Sequence, residues 1–205
     1  MRDLSRQCQR ALRRWLSQSE PLERADLIFV LAGHRSRKVF GAILFCAKWA
    51  PGVLMSTSDP TYIARVLNRE MGASVIDEKD PTSPLQGHFF AHYDRHRWSV
   101  HPVSLGRLGT LSEMKALASW VRRDANIRSV VIVSAGIHLR RVRMCCQRLL
   151  PRHSVRLVAV SIDEASLVAR HEQPEREGPT SLLVECGKVL LYGALLPFVS
   201  SEVEP

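Results

Sequence analysis

Residues 129–141 read Ser-Val-Val-Ile-Val-Ser-Ala-Gly-Ile-His-Leu-Arg-Arg, and this stretch decides the fold. Four consecutive β-branched residues, 130–133, predict a strand that is apolar on both faces, as is typical of a covered parallel sheet. A helical pattern then runs over 138–150 and stops at Pro151. A strand that passes directly into a helix is the repeating unit of an α/β protein.

The same unit recurs on both sides of this stretch. Residues 25–31 predict a buried strand that ends at Ala32-Gly33, and Pro60 and Gly72 mark the first turn and the end of a helix. Alternating aromatic residues predict a hairpin over 87–103 at one edge of the sheet. The other predicted elements are helices over 38–49, 111–123 and 181–196, strands over 53–55 and 155–160, and irregular polar segments over 74–86 and 163–178. The sequence therefore predicts a three-layer Rossmann-like α/β domain with a mostly parallel sheet and an added β-hairpin.

The chain has 205 residues, a net charge of +9 and 45% hydrophobic residues, which suits one folded domain with appendages. We predict a basic amphipathic helix over 1–20, the α/β domain over 21–178, and an apolar helix and tail over 179–205. The charge indicates an anionic partner. No recognised nucleic-acid-binding module accompanies it, which argues against nucleic acid.

The two terminal segments leave alternatives open. The N-terminal helix carries arginines on one face, so it either packs on the domain, which we favour, or contacts an anionic membrane. No signal peptide is visible, and the apolar segment 181–199 contains Glu185, Lys188 and Pro197, which predicts a packed or interfacial helix rather than a spanning one. Five scattered cysteines favour a reducing compartment. These features predict a cytoplasmic protein with optional peripheral membrane contact.

Three strand ends carry polar residues that could bind an anion. They are Gly33–Arg37, which includes Arg35, then Ser56–Ser58, and Ser134–Arg141, which includes Arg140. Ligands of open α/β sheets bind outside the carboxyl ends of the strands, where helix N-termini and arginines attract anions. There is no GxGxxG motif, P-loop lysine or GxSxG elbow, which disfavours the common nucleotide and serine-hydrolase sites.

Three further groups have two interpretations each. Thr110 and Glu113 form either a helix capping box or part of the ligand site. His138 begins a helix at a strand end, where the helix dipole disfavours its protonated form, so it is either an acid/base residue or a surface residue. His88, His92 and His96 recur at even spacing, but the aromatic residues around them favour a strand, and we predict no metal site.

The chain resembles the YdcF-like domain family, which includes the ElyC and SanA envelope proteins, in four segments between about residues 25 and 160. The most specific segment, Val133–Arg141, is similar to the family pattern Val-Thr-x-x-x-His-x-x-Arg. Thr110 and Glu113 match Ser-x-x-Thr-x-x-Glu-Asn, with Arg107 and Met114 in place of Ser and Asn. The remaining matches are Asp26, Gly33, Arg37, Gly41 and Leu44, and then Ala50–Ser56, which Thr57 and Ser58 follow in place of the family's glycines.

The resemblance implies a Rossmann-like fold and promotes Glu113 and His138 to catalytic candidates and Arg141 to a ligand-binding one. It implies a small anionic or phosphorylated ligand in bacterial cell-envelope polysaccharide, peptidoglycan or lipid-carrier metabolism, at the inner membrane if the contact is peripheral. Two alternatives stay open, a non-catalytic module that binds S-adenosylmethionine or another nucleotide and a membrane-surface adaptor. The sequence identifies neither the reaction nor a cofactor.

Overall fold

A computed structural model describes residues 2–74, 76, 87–94, 97–161, 164–172 and 179–199, and within them the chain is an α/β protein. The predicted loop 77–86 and the hairpin turn at 95–96 lie outside these residues. The strands are β1 Leu27–Val30, β2 Gly52–Thr57, β3 Phe89–Asp94, β4 Arg97–Pro102, β5 Ser129–Ser134 and β6 Ser154–Ala159. The α-helices are α1 Arg2–Leu16, α2 Arg35–Cys46, α3 Pro60–Met71, α4 Gly109–Arg123, α5 Leu139–Leu149, α6 Glu164–Ala169 and α7 Pro179–Leu195, with 3-10 turns at Gly136–His138 and Leu196–Phe198.

The strands form one mixed sheet in the order β4-β3-β2-β1-β5-β6. The β1–β2, β1–β5 and β5–β6 pairs are parallel, whereas β3 and β4 form an antiparallel hairpin beside β2, as predicted. Val30 of β1 pairs with both Met55 and Val133, so the carboxyl ends of three parallel strands lie level. The chain leaves β1 for β2 on one side and returns to β5 on the other, which makes the β1–β5 gap the switch point where such sheets bind ligands.

Helices cover both faces of the sheet. Phe29 and Ile132 pack in a core with residues of α4, α5 and α7, and Val30 and Val133 pack in a second core with residues of α2 and α3. Because successive side chains of a strand point to opposite faces of the sheet, the core to which one residue belongs also gives the face of the residue two positions later. Ser56 and Ser134 continue the alternation on the face that α4 and α5 cover.

Several helix ends differ from the predicted ones because side-chain caps set them. The α2 helix begins at Arg35 rather than 38, since the His34 ring accepts a hydrogen bond from the Ser36 N–H. Asp59 and Gly72 cap α3 as expected. Of the two interpretations of Thr110 and Glu113, the capping box is wrong, because the N-cap position of α4 is Leu108 and no side chain caps it. The segment 163–178 is not wholly irregular, since it contains α6.

The terminal helices pack together on the domain. Leu12 and Leu16 of α1 contact a small core that includes Leu182 and Val189 of α7, while Tyr192 joins the core of α4 and α5. This agrees with the favoured interpretation of the N-terminal helix. Among the described residues, one helical stretch, Thr180–Phe198, is long and apolar enough to cross a membrane.

Candidate ligand site at the carboxyl edge of the sheet

The peptide group of Ala32, at the end of β1, is held from two sides. Its N–H donates to Glu113 Oε1 over 2.7 Å, and its carbonyl oxygen accepts from Arg37 Nη1 over 2.7 Å. The carboxylate comes from α4 and the guanidinium from α2, and both side chains are buried. Glu113 is thus a bridge to the end of β1 rather than part of a helix cap.

Gly33 makes room for this arrangement. Its backbone has φ +123°, and a Cβ at this position would lie 2.8 Å from Cζ and Nη1 of Arg37. A side chain would therefore suffer both backbone strain and a clash with the guanidinium. Glycine is required here because the Arg37 side chain folds back over the strand end.

Lys38 is a buried cation at this edge that the sequence did not single out as a site residue. Its Nζ donates to the carbonyl oxygens of Leu31 at 2.6 Å and Ser56 at 2.5 Å. Burial lowers the pKa of Lys38 to about 7, while the charge of Glu113 opposes that shift. The ammonium group joins the ends of β1 and β2. A lysine at the start of the apolar run 38–46 was the available sequence signal.

Ser56 and the partly buried His88 form a second contact beside it. Ser56 lies inside β2 rather than after it, and its Oγ is 2.6 Å from Nε2 of His88. Burial lowers the pKa of His88; the Glu113 charge acts to raise it and the Lys38 charge to lower it further. The sequence had weighed His88 only as a metal ligand, and it lies instead with the predicted site residues.

Arg141 is the centre of the other half of the site. Its Nε donates to Glu185 Oε1 over 2.6 Å and its Nη2 to Oε2 over 3.2 Å, and its Nη1 donates to Thr110 Oγ1. His138 Nδ1 lies 3.0 Å from the same Oε2. Four side chains from α4, α5, the preceding turn and α7 therefore share one polar cluster. The structure brings together the predicted residues Thr110, His138 and Arg141.

Glu185 is the residue of this cluster that sequence reasoning missed as a site residue. Its side chain is 1% exposed. Burial acts to raise its pKa, but hydrogen bonds from His138 and Arg141 and the charge of Arg141 outweigh it and hold the pKa at about 2. Glu185 is consequently a fixed anion, and it orients the imidazole of His138. The signal was a lone acid in an otherwise apolar helix, which indicates an inward partner.

The contacts around Ala32 and the cluster around Arg141 meet on one face of α4. Thr110 and Glu113 are three residues apart and so lie on adjacent turns of the same helix face. Ser134 ends β5 on the same side of the sheet. Its buried Oγ has no hydrogen-bond partner among the described residues. A buried hydroxyl without a partner is rare in a folded protein and requires an explanation.

Two of the predicted ligand-binding arginines point elsewhere. The Arg35 guanidinium lies 4.6 Å above the ring of Tyr62, and the Arg140 guanidinium lies 4.2 Å above the ring of Trp15 in α1. Both therefore stack on aromatic side chains outside the cluster.

The motif residue Asp26 lies at the opposite end of the sheet. Its Oδ2 accepts hydrogen bonds from the backbone N–H groups of Arg128 and Ser129 and from the Ser129 hydroxyl, at 2.7–2.9 Å. It joins the amino ends of β1 and β5, which is a structural role. Asp26 also borders a cavity of about 480 Å³ at that end, together with His92 and Trp120.

Comparisons of this chain with protein-family models, with curated proteins and with solved structures gave no match. The YdcF-like resemblance accordingly remains a prediction from the motifs.

Proposed function

We propose that this protein is a Rossmann-like α/β domain that binds a small anionic or phosphorylated ligand at the carboxyl edge of the sheet, between β1 and β5. The observation that carries the proposal is where the buried polar side chains lie. Of eleven buried polar or charged residues in the described part of the chain, two, Asn68 and Glu172, belong to α3 and its contacts. The other nine lie at this edge or on the helices that border it: Ser36, Arg37, Lys38, Ser56, Thr57, Glu113, Ser134, Arg141 and Glu185.

Such a concentration is costly for a purely structural purpose. Buried ion pairs contribute little net stability compared with well-packed apolar residues, because each charge loses its hydration. Groups of this kind collect at binding and catalytic sites, where their charge acts on a ligand. The switch point of the sheet is where an α/β fold positions that ligand.

The charges favour an anion as the ligand. Arg37 and Arg141 carry positive charge on or beside the edge, and Lys38, with a pKa of about 7, adds part of a charge at neutral pH. Ser134 offers a hydroxyl with no protein partner among the described residues. Glu113 and His138 are the acid/base candidates, since carboxylates and imidazoles are the usual general acids and bases and both side chains border the cluster. The resemblance implies a small anionic or phosphorylated ligand from cell-envelope polysaccharide, peptidoglycan or lipid-carrier metabolism.

The Glu185 carboxylate already sits on Arg141, as a carboxylate or phosphate of a ligand would. We therefore expect an incoming anion to compete with Glu185 for this guanidinium. Replacing Glu185 by Gln removes the competing charge and raises the affinity for the anion.

A thermal-shift panel tests the proposal with phosphate, pyrophosphate, nucleotides, sugar phosphates and S-adenosylmethionine. A binding ligand at 100 times its Kd raises the Tm by about 5 °C or more for a chain of this size. Glu185→Gln increases the shift and Arg141→Lys reduces it. The absence of a shift with every phosphorylated compound contradicts the proposal, and a shift with S-adenosylmethionine alone favours the cofactor-binding alternative.

Ser134→Ala is the sharpest variant for this panel. Because the buried Oγ has no partner among the described residues, its removal breaks no hydrogen bond, and the free energy of unfolding stays the same or rises by up to about 1–3 kcal/mol. The ligand-dependent shift falls if the hydroxyl contacts the ligand. Ser119→Ala, on the last turns of α4, is the control that leaves the shift unchanged.

A further inference from the structure

The helix α7 is apolar on its outer as well as its inner face, unlike a normal surface helix. Its outward side chains are large and apolar; Leu183 is 69% exposed, Leu190 75%, and Phe198 of the following turn 87%. Its inward face buries Leu182 and Val189 together with Glu185 and Tyr192. Helices of globular proteins bury their apolar side and present the polar side to water. The outer side of α7 is therefore suited to an apolar environment.

The exposed apolar side chains form one continuous strip. Leu183, Leu190 and Phe198 lie along one line of the helix, with the small residues Gly187 and Ala194 between them, and Val184, Leu191 and Leu195 widen the strip on one side. From residue 183 to residue 198 the strip is about 22 Å long at the α-helical rise. Lys188, at its rim, is the charged residue on this side of the helix. A strip of this length exceeds the scattered apolar exposure that is normal on a protein surface.

A basic helix packs against α7. Residues 2–16 contain five arginines and one aspartate, and α1 packs on α7 through Leu12 and Leu16. Arg10 and Arg14 are exposed, and Trp15 beside them is 38% exposed. Arg140 stacks on Trp15 and adds a further cation. The helix that carries the apolar strip thus has a positively charged neighbour that contains an exposed aromatic residue.

We propose that the outer face of α7, with α1 as its basic neighbour, docks on an anionic lipid surface. A bilayer accepts the leucines and Phe198 at its acyl boundary, while its headgroup phosphates attract the arginines of α1. Trp15 occupies the level that tryptophan prefers at a membrane interface. A protein partner would have to combine an apolar groove with an acidic rim, whereas an anionic bilayer supplies both along its whole surface.

The contacts of Glu185 determine the orientation of α7 relative to the membrane plane. A spanning orientation would carry Glu185 into hydrocarbon and separate it from Arg141 and His138, which costs several kcal/mol for the charge alone. An in-plane orientation leaves that cluster intact. The docking therefore places α7 parallel to the membrane and keeps the α/β domain outside it.

Vesicle co-sedimentation of the full chain tests this inference with phosphatidylcholine vesicles that contain or lack 30% phosphatidylglycerol. We expect binding to the anionic vesicles that weakens at 0.5 M salt. Leu190→Ser with Phe198→Ser lowers the partition coefficient about a hundredfold, or about tenfold for each large side chain removed from the interface. Both positions are exposed, so the double variant should keep its fold, and circular dichroism checks that it does.

Charge variants distinguish a specific role of α1 from a general attraction between the positively charged protein and the anionic vesicles. Arg10→Glu with Arg14→Glu reverses two charges of α1 and reduces binding to anionic vesicles. Lys115→Glu with Arg123→Glu makes the same charge change on the side of α4 that faces the hairpin and leaves the binding nearly unchanged. We expect vesicle binding to shift the tryptophan emission to shorter wavelength, and Trp15→Phe removes this shift.

Four results would overturn the inference. The folded protein could fail to bind anionic vesicles. The serine variant could bind as well as the wild type. The wild type could form a dimer that the serine variant abolishes without any vesicle binding, which would make the strip a contact between two copies. Bound protein that resists a carbonate wash would instead establish a spanning helix.

Discussion

Replacing Glu185 by Gln is the most direct test of the polar cluster. The carboxylate is only 1% exposed, and it makes two contacts with Arg141 and one with His138 at 2.6–3.2 Å. The amide preserves the shape but presents N–H donors to Arg141 and His138 and leaves the buried guanidinium without its counter-ion. Breaking a buried ion pair in this way costs about 3–5 kcal/mol. A pKa held near 2 instead of the ordinary 4.5 corresponds to about 3 kcal/mol at neutral pH, which agrees with that range.

The pH dependence of this loss has a definite sign. The pKa of Glu185 is lower in the folded than in the unfolded chain, so the carboxylate stabilises the fold fully above about pH 4.5. The stabilisation falls as the pH decreases from 4.5 towards 2, where the folded carboxylate is protonated as well. The stability difference between wild type and Glu185→Gln is therefore largest at neutral pH and shrinks towards pH 2.

Urea denaturation of both proteins at several pH values between 2 and 7 measures this difference. Titrating groups that do not contact Glu185 are common to the two proteins and cancel, which leaves His138 as the neighbouring group that the substitution also affects. Glu23→Gln is the matched control, because Glu23 makes an exposed ion pair with Arg156 whose loss costs less than about 1 kcal/mol. A neutral-pH loss below about 1 kcal/mol, or a difference independent of pH, would refute the description of Glu185 as a buried fixed anion.

Two further predictions concern the ends of β1. Gly33→Ala lowers the free energy of unfolding by about 1–3 kcal/mol, because the added Cβ would clash with Arg37 at a strained φ. Gly109→Ala is the control; nothing lies within 4 Å of its Cβ, so the substitution is neutral or stabilising. Equal losses of stability in urea denaturation of the two variants would contradict this reasoning. Asp26→Ala lowers stability by about 1–3 kcal/mol through three lost hydrogen bonds but leaves any ligand-dependent shift in Tm intact; loss of that shift would mean that Asp26 reaches the site. Burial acts to raise the pKa of Asp26, but its hydrogen bonds outweigh this and lower the pKa, so the Asp26→Ala deficit decreases in acid.

The sequence was sufficient for the order of elements because each element has its own periodicity. The four β-branched residues 130–133 and the aromatic alternation around the hairpin are local signals, and both gave strands in the expected places. Element ends were less predictable. His34 lengthens α2 at its start, and pairing with β3 carries β2 on to Thr57. The ends of helices and strands depend on single side-chain contacts and on neighbouring strands, and the hydrophobic periodicity of the sequence contains no information about these contacts.

The site was predictable in outline and not in its pairings. Strand ends and the motif resemblance selected Glu113, His138 and Arg141, and the structure places all three at the carboxyl edge. The partner of Glu113 is a backbone N–H 81 residues away, and the partner of Arg141 is a carboxylate 44 residues away. Contacts over such separations follow from packing. Arg35 and Arg140 satisfied the same pattern and yet stack on aromatic rings, because an arginine stem reaches in several directions.

The helix α7 joins the two proposals, and its two faces allow them to be tested apart. Its inner face holds Arg141 and His138 through Glu185, and its outer face presents the apolar strip. Glu185→Gln changes the inner face while leaving Leu190 and Phe198 in place, so it should alter anion binding and spare vesicle binding. Leu190→Ser with Phe198→Ser changes the outer face and should do the reverse. If each variant altered both measurements, the two faces would be energetically coupled, and docking of α7 on lipid would control access of the anion to Arg141.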